Sequence, residues 1–116
     1  QRAVHRVSQE TRMAIITVAT AFPAPEHREE VIAAFEAAIE KVHAEEDGTE
    51  LYALHEGADG RLVMIEKYAS QEAVAAHLAG AGLAGLREAL KGKLSAPMDV
   101  QNLTPHPAGS PVKGAL

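Results

Sequence analysis

The chain contains no cysteine. That absence excludes a disulfide framework, a thiolate nucleophile and Cys-based zinc or iron–sulfur sites together. Basic charge is also short: 11 Lys and Arg stand against 16 Asp and Glu, a net charge of −5, whereas a nucleic-acid footprint needs a basic face. No apolar run approaches the roughly 18 residues that would span a membrane. The N-terminus lacks the apolar core of a secretion signal, so a soluble cytoplasmic protein is expected. No Gly-x-Gly-x-x-Gly or Walker-type loop occurs. Gly80, Gly82 and Gly85 imitate a phosphate cradle only superficially, because they sit between two helical segments rather than after a strand. Without a Gly-x-Ser-x-Gly elbow, a hydrolase triad has no nucleophile of the usual kind. The histidines (His5, His27, His43, His55, His77 and His106) include no i, i+4 pair on a helix and no His-x-His on a strand, so nothing points to a metal centre.

What remains is a chain of 116 residues, 47% apolar and 23% charged, the composition of one globular domain. Such a domain buries about two-thirds of the surface its unfolded chain exposes, enough for a core without staples. Residues 1–12 are polar and unpatterned, and read as a leader or expression remnant, with Met13 as the natural start. Residues 105–116 carry Pro105, Pro107, Pro111, Gly109 and Gly114 and read as an irregular tail, which leaves a folded unit over 13–104. Met13 to Phe22 is β-branched and apolar, and Pro23 and Pro25 stop it as a first strand. From Glu26 to Glu46 apolar residues recur at three- and four-residue steps, an amphipathic helix of about six turns. Glu50–Glu56 and Arg61–Ala69 flank the turn Gly57-Ala58-Asp59-Gly60 as a hairpin. Ser70 suits the cap of a helix from Gln71 that Gly80 and Gly82 break. A further helix carries Leu83, Leu86, Leu90 and Leu94 until Pro97, and Met98–Leu103 is a last strand. The order β-α-β-β-α-α-β is the split βαβ plan of an α+β ferredoxin-like sandwich.

Right-handed crossovers place the helices on one face of that sheet. Yet the strands are apolar on both faces. Pairing Glu56 with Arg61 puts Leu51, Ala53, His55, Leu62, Met64, Glu66 and Tyr68 on one side, and Tyr52, Leu54, Val63 and Ile65 on the other. One protomer has helices for a single face, so the pattern predicts a homodimer, sheet against sheet, as a dimeric α/β barrel.

Chemistry-bearing residues are few. His77, one turn beyond Val74, lies on or beside a buried helix face and is suited to take a proton at neutral pH; the competing reading is a half-buried histidine bonded to backbone. Tyr68 ends the third strand and suits stacking or hydrogen bonding to a flat ligand, or is an ordinary strand aromatic. His55 and Glu66 share its expected face, as ligand contacts or as a structural pair, while His27 and His43 are expected to face solvent.

These segments carry a resemblance. Met13–Phe22, the helix ending Val42-His43-Ala44-Glu45-Glu46-Asp47-Gly48, Leu51–His55 and above all Ile65-Glu66-Lys67-Tyr68-Ala69-Ser70 followed by Ala76-His77-Leu78 resemble the antibiotic biosynthesis monooxygenase family. Within it the chain is most similar to quinol monooxygenases of the YgiN type. The resemblance implies a dimeric ferredoxin-like barrel, small flat phenolic substrates held between sheet and helices, and oxygenation with no flavin, haem or metal. It also exposes departures. Tyr68 replaces the family's usual tryptophan, Met64 and Val74 stand where polar-site members carry asparagine and tyrosine, and Gly80-Ala81-Gly82 replaces a Ser-Pro-His segment. The residues of a haem-degrading member are not present.

The expected function is therefore a cofactor-independent monooxygenase oxidising a quinol or other small phenol with O₂. His77 is its base and Tyr68 the hydrogen-bonding or stacking partner; His55, Glu66, Met64 and Val74 contact substrate. A cofactor-free isomerase on the same fold and a non-catalytic ligand-binding dimer are the alternatives.

Overall fold

A computed structural model describes residues 14–116. The expectations for residues 1–12 and for Met13 fall outside the described residues. The elements follow the expected order: β1 (Ile15–Ala21), a 3-10 turn (Pro25–His27), α1 (Arg28–Glu45), β2 (Thr49–Glu56), β3 (Leu62–Tyr68), α2 (Gln71–Leu78), α3 (Ala81–Leu90) and β4 (Asp99–Leu103).

Local chemistry accounts for the boundaries. Pro25 opens the turn that leads into α1, where its missing N–H costs nothing. Val31, Phe35, Ala38 and Val42 form the buried stripe of α1 at helical spacing. The Ser70 hydroxyl accepts from the Ala73 amide at 3.1 Å and caps α2, as its sequence position predicts. α3 differs from its expectation at both ends. Gly82 lies inside the helix and is buried, because a Cβ there would stand 2.9 Å from Val42 Cγ2. It serves close packing of α3 on α1 rather than a break. Leu94 lies beyond the helix, in an isolated bridge to Pro23.

The strands form one antiparallel sheet in the order β2-β3-β1-β4. Its hairpin register corrects the expected one. The Gly57 amide donates to the Arg61 carbonyl at 2.9 Å, and Gly60 turns the chain with φ +90°. Glu56 therefore pairs with Leu62, not Arg61. A shift of one residue turns every side chain of β2 to the opposite face. Tyr52 and Leu54 now join Leu62, Met64, Glu66 and Tyr68 on one face, together with Ile15, Thr17, Ala19 and Ala21 of β1.

That face is the one the helices cover. Its core centres on Ala21, Val31, Phe35, Val42, Leu62 and Met64. The opposite face presents Val18, Ala53, Val63 and Ile65, all partly exposed, and no described helix packs on it, although Ile16 and Thr20 on the same face are buried. Residues 105–116 are irregular and return to one end of this second face, beside Ala14 and Lys67; there Lys67 Nζ donates to the main-chain oxygen of Leu116 at 2.8 Å. No helix among the described residues is long and apolar enough to cross a membrane.

Candidate functional site

Between the covered face and the three helices lies a cavity of about 330 Å³. Every element but the turns contributes to its wall. Thr17 and Ala19 come from β1, Phe35 from α1, Tyr52 from β2, Met64, Glu66 and Tyr68 from β3. Val74, His77 and Leu78 follow from α2, Leu83 and Arg87 from α3, Met98 from the connection, and Val100 and Asn102 from β4. Five of the six expected site residues thus meet here: Tyr68, His77, Glu66, Met64 and Val74. The sixth does not. His55 is exposed on the opposite face, opposite Val63, because the register shift carried it there.

His77 is the centre of the polar arrangement. It shares the buried side of α2 with Ala73, one turn back, and only 5% of it is exposed. Its ring lies 5.2 Å, centroid to centroid, from both Tyr52 and Tyr68, tilted by 59° and 43°. Nδ1 is 2.8 Å from Glu46 Oε1, and that same oxygen accepts from the Thr49 hydroxyl at 2.9 Å. A carboxylate oxygen already serving as acceptor requires Nδ1 to carry the proton, which leaves Nε2 as the free lone pair. Nε2 has no hydrogen-bond partner among the described residues, and the side chain that carries it lines the cavity.

Glu66 is the second polar group. It is buried and accepts from the Tyr68 hydroxyl at 2.5 Å. Burial raises its pKa above the ordinary carboxylate value; the Tyr68 hydrogen bond and the nearby imidazole pull the other way, and Glu46 adds to the rise. Burial also raises both tyrosines, with Glu66 reinforcing the effect, so their hydroxyls stay protonated donors. On the far wall the Thr17 hydroxyl donates to Asn102 Oδ1 at 2.8 Å. The cavity thus combines an imidazole fixed by a carboxylate, a carboxyl–phenol pair and a largely apolar lining. That is acid–base equipment beside space for a small flat molecule.

Reading the sequence missed Glu46, Tyr52, Thr17 and Asn102. Tyr52 was lost with the register. Glu46 stands 31 residues from His77, and only packing of the α1 terminus against α2 brings them together. His43 is exposed as expected, with Nε2 3.1 Å from the Tyr52 carbonyl oxygen; His27 is half-buried beside Glu30.

Known proteins share this framework. The structure of Rv0793 from Mycobacterium tuberculosis is 32% identical and superposes with a TM-score of 0.77, covering 84% of this chain and 99% of that one. A candidate antibiotic biosynthesis monooxygenase from Caulobacter crescentus shares the fold at 24% identity and a TM-score of 0.76, over 86% of this chain and 96% of its own. Another, from Nitrosomonas europaea, does so at 20% identity and a TM-score of 0.74, over 79% of this chain and 89% of its own. No curated protein matches the chain. Residues 14–89, from β1 through almost all of α3 and including most of the cavity wall, match the pattern described as antibiotic biosynthesis monooxygenase. By that match and by the shared fold, the chain belongs to the antibiotic biosynthesis monooxygenase family.

Proposed function

We propose that this protein is a cofactor-independent monooxygenase that oxidises a quinol or related small phenol with O₂, as the YgiN-type members it resembles are expected to do. The observation that carries the reading is His77 on the cavity wall, its Nδ1 locked to Glu46 and its Nε2 without a hydrogen-bond partner among the described residues. Glu46 favours the tautomer in which Nε2 is the base, and stabilises the imidazolium once a proton has been taken. A hydroquinone bound with a hydroxyl at Nε2 becomes a more electron-rich anion. It gives one electron to O₂, and semiquinone and superoxide combine at a ring carbon. The hydroperoxide formed loses water to leave a hydroxyquinone. One oxygen atom enters the product and the other leaves as water, the substrate supplying all four electrons, so no further reductant enters the balance. Tyr68 and Tyr52 flank the imidazole and suit stacking or hydrogen bonding to the ring. The apolar remainder of the wall keeps bulk water from the radical pair.

The same reading includes a homodimer joined through the face that carries Val18, Val63 and Ile65, since an apolar sheet of that extent is rarely left to solvent.

The test is oxygenation of a naphthohydroquinone under ¹⁸O₂, with buffer alone as reference because such compounds autoxidise. One ¹⁸O per product is expected, with a rate that falls about a hundredfold or more in His77→Ala. Rates no better than buffer, or product without ¹⁸O, overturn the reading. A second reading draws on Glu66, whose raised pKa suits it to return a proton: an isomerase shifting a proton on a carbonyl compound without oxygen. Solvent deuterium exchange into such a compound under argon would single it out.

A further inference from the structure

The cavity opens where its lining is exposed, at Leu78 on α2, Arg87 on α3, and Val100 and Asn102 on β4. Arg87 makes no ion pair or hydrogen bond among the described residues, and its sequence neighbour Glu88 is bound to Lys91 at 2.8 Å. Asn102 uses its oxygen to accept from Thr17, which leaves its NH₂ group unspent. The polar groups at this opening are therefore a guanidinium and an amide donor, with no exposed carboxylate among the described residues of the lining. Inside, the balance is reversed: Glu46 and Glu66 face a single imidazole.

We infer that the site takes a quinol or phenol bearing a carboxylate, with the acidic group held at the opening by Arg87 and Asn102 and the reacting ring turned inward. The inference rests on the oxygenase reading for the reaction, but not for the binding. A planar guanidinium matches a carboxylate with two parallel hydrogen bonds, and the interior carboxyls repel the same group. Together these fix which end of the substrate enters first. That orientation delivers the ring hydroxyl to His77 and keeps the solvated anion outside the dry part of the cavity.

The experiment compares a neutral naphthohydroquinone with 1,4-dihydroxy-2-naphthoate, by kcat/KM in air. In parallel, calorimetry under argon compares binding of 1-naphthol with that of 1-hydroxy-2-naphthoate. The carboxylated member should be preferred about tenfold or more in both measurements, the range expected of a charge-assisted hydrogen bond at a partly exposed site. Arg87→Gln should abolish most of that preference. Asn102→Asp, which can still accept from Thr17 but sets a carboxylate at the opening, should reduce it as well. A preference in binding without oxygen-dependent turnover would retain the inference and remove the oxygenase reading. Equal affinity for the two members, or a preference unchanged in both variants, would overturn the inference whatever the turnover.

Discussion

The two faces of the sheet are made from the same kinds of residue and have different fates. On the covered face Leu62 and Met64 are fully buried under α1 and α3, and the polar groups among them, Thr17, Glu66 and Tyr68, are each hydrogen-bonded. On the open face Val63 and Ile65 alternate with them along the same strand and remain partly exposed. Burying a polar group without a partner costs several times what an ordinary hydrogen bond contributes, so polar residues persist inside only where the fold satisfies them. The covered face can hold chemistry because the helices supply those partners, Glu46 for His77 above all. The polar groups of the open face, His55 and Lys67 among them, lie outside the cavity, and Val18, Val63 and Ile65 beside them suit it to contact.

The sharpest way to break the comparison is a pair of truncations. Phe35→Ala, at the centre of the covered core, should cost about 3–5 kcal/mol in urea unfolding, because the cavity it leaves cannot collapse. Val63→Ala on the open face should cost about 1 kcal/mol or less in an isolated protomer, and more if a partner covers it. A dependence of the second value on protein concentration would mark the face as an interface. Equal, concentration-independent losses at both sites would dissolve the distinction between the faces.

A charge tests the same face directly. Ile65→Glu places a carboxylate in the middle of the open face, where a sheet packed against it would have to bury that charge unpaired. The expected outcome is a wild type that sediments as a dimer and a variant that sediments as a folded protomer, with the cavity and its far-ultraviolet spectrum retained. A wild type that is monomeric at working concentrations refutes the homodimer and leaves the cavity untouched, since all its described wall comes from one chain.

The order of elements was legible because each carries its own punctuation: Pro23 and Pro25 after β1, Ser70 before α2, Pro97 before β4. The doubling of apolar faces was legible too, since Ile16 and Val18 of β1 share a face with Val63 and Ile65 of β3 whichever register β2 takes. Register was not. A turn with Gly at both ends fits loops that differ by one residue, and only the Gly57–Arg61 hydrogen bond decides between them. That single ambiguity sent His55 to the site and Tyr52 away from it. Gly82 misled for a related reason: a helical glycine that admits close packing and one that ends a helix look alike until Val42 is seen against it. Residues whose roles depend on contacts between distant segments, Glu46 and Asn102 among them, leave no local trace at all.

The smallest effect probes the electrostatics of the covered face. Burial raises the Glu66 pKa above its ordinary value of 4.5, so the folded protein holds this proton more tightly than the unfolded chain does. Stability contributed by the group is then complete below 4.5 and is lost as pH rises through the raised folded value, where the unfolded chain has already ionised and the folded one must follow at a cost. Glu66→Gln keeps an oxygen for the Tyr68 hydroxyl and removes the titration. Its urea midpoint should therefore decline less than that of wild type between pH 4.5 and neutrality, and should stay parallel above that window. Identical slopes would mean that the imidazole and the Tyr68 hydroxyl compensate the burial in full. The Glu66 carboxylate would then be as much at ease under the helices as in water, and the two faces of the sheet would differ in packing alone.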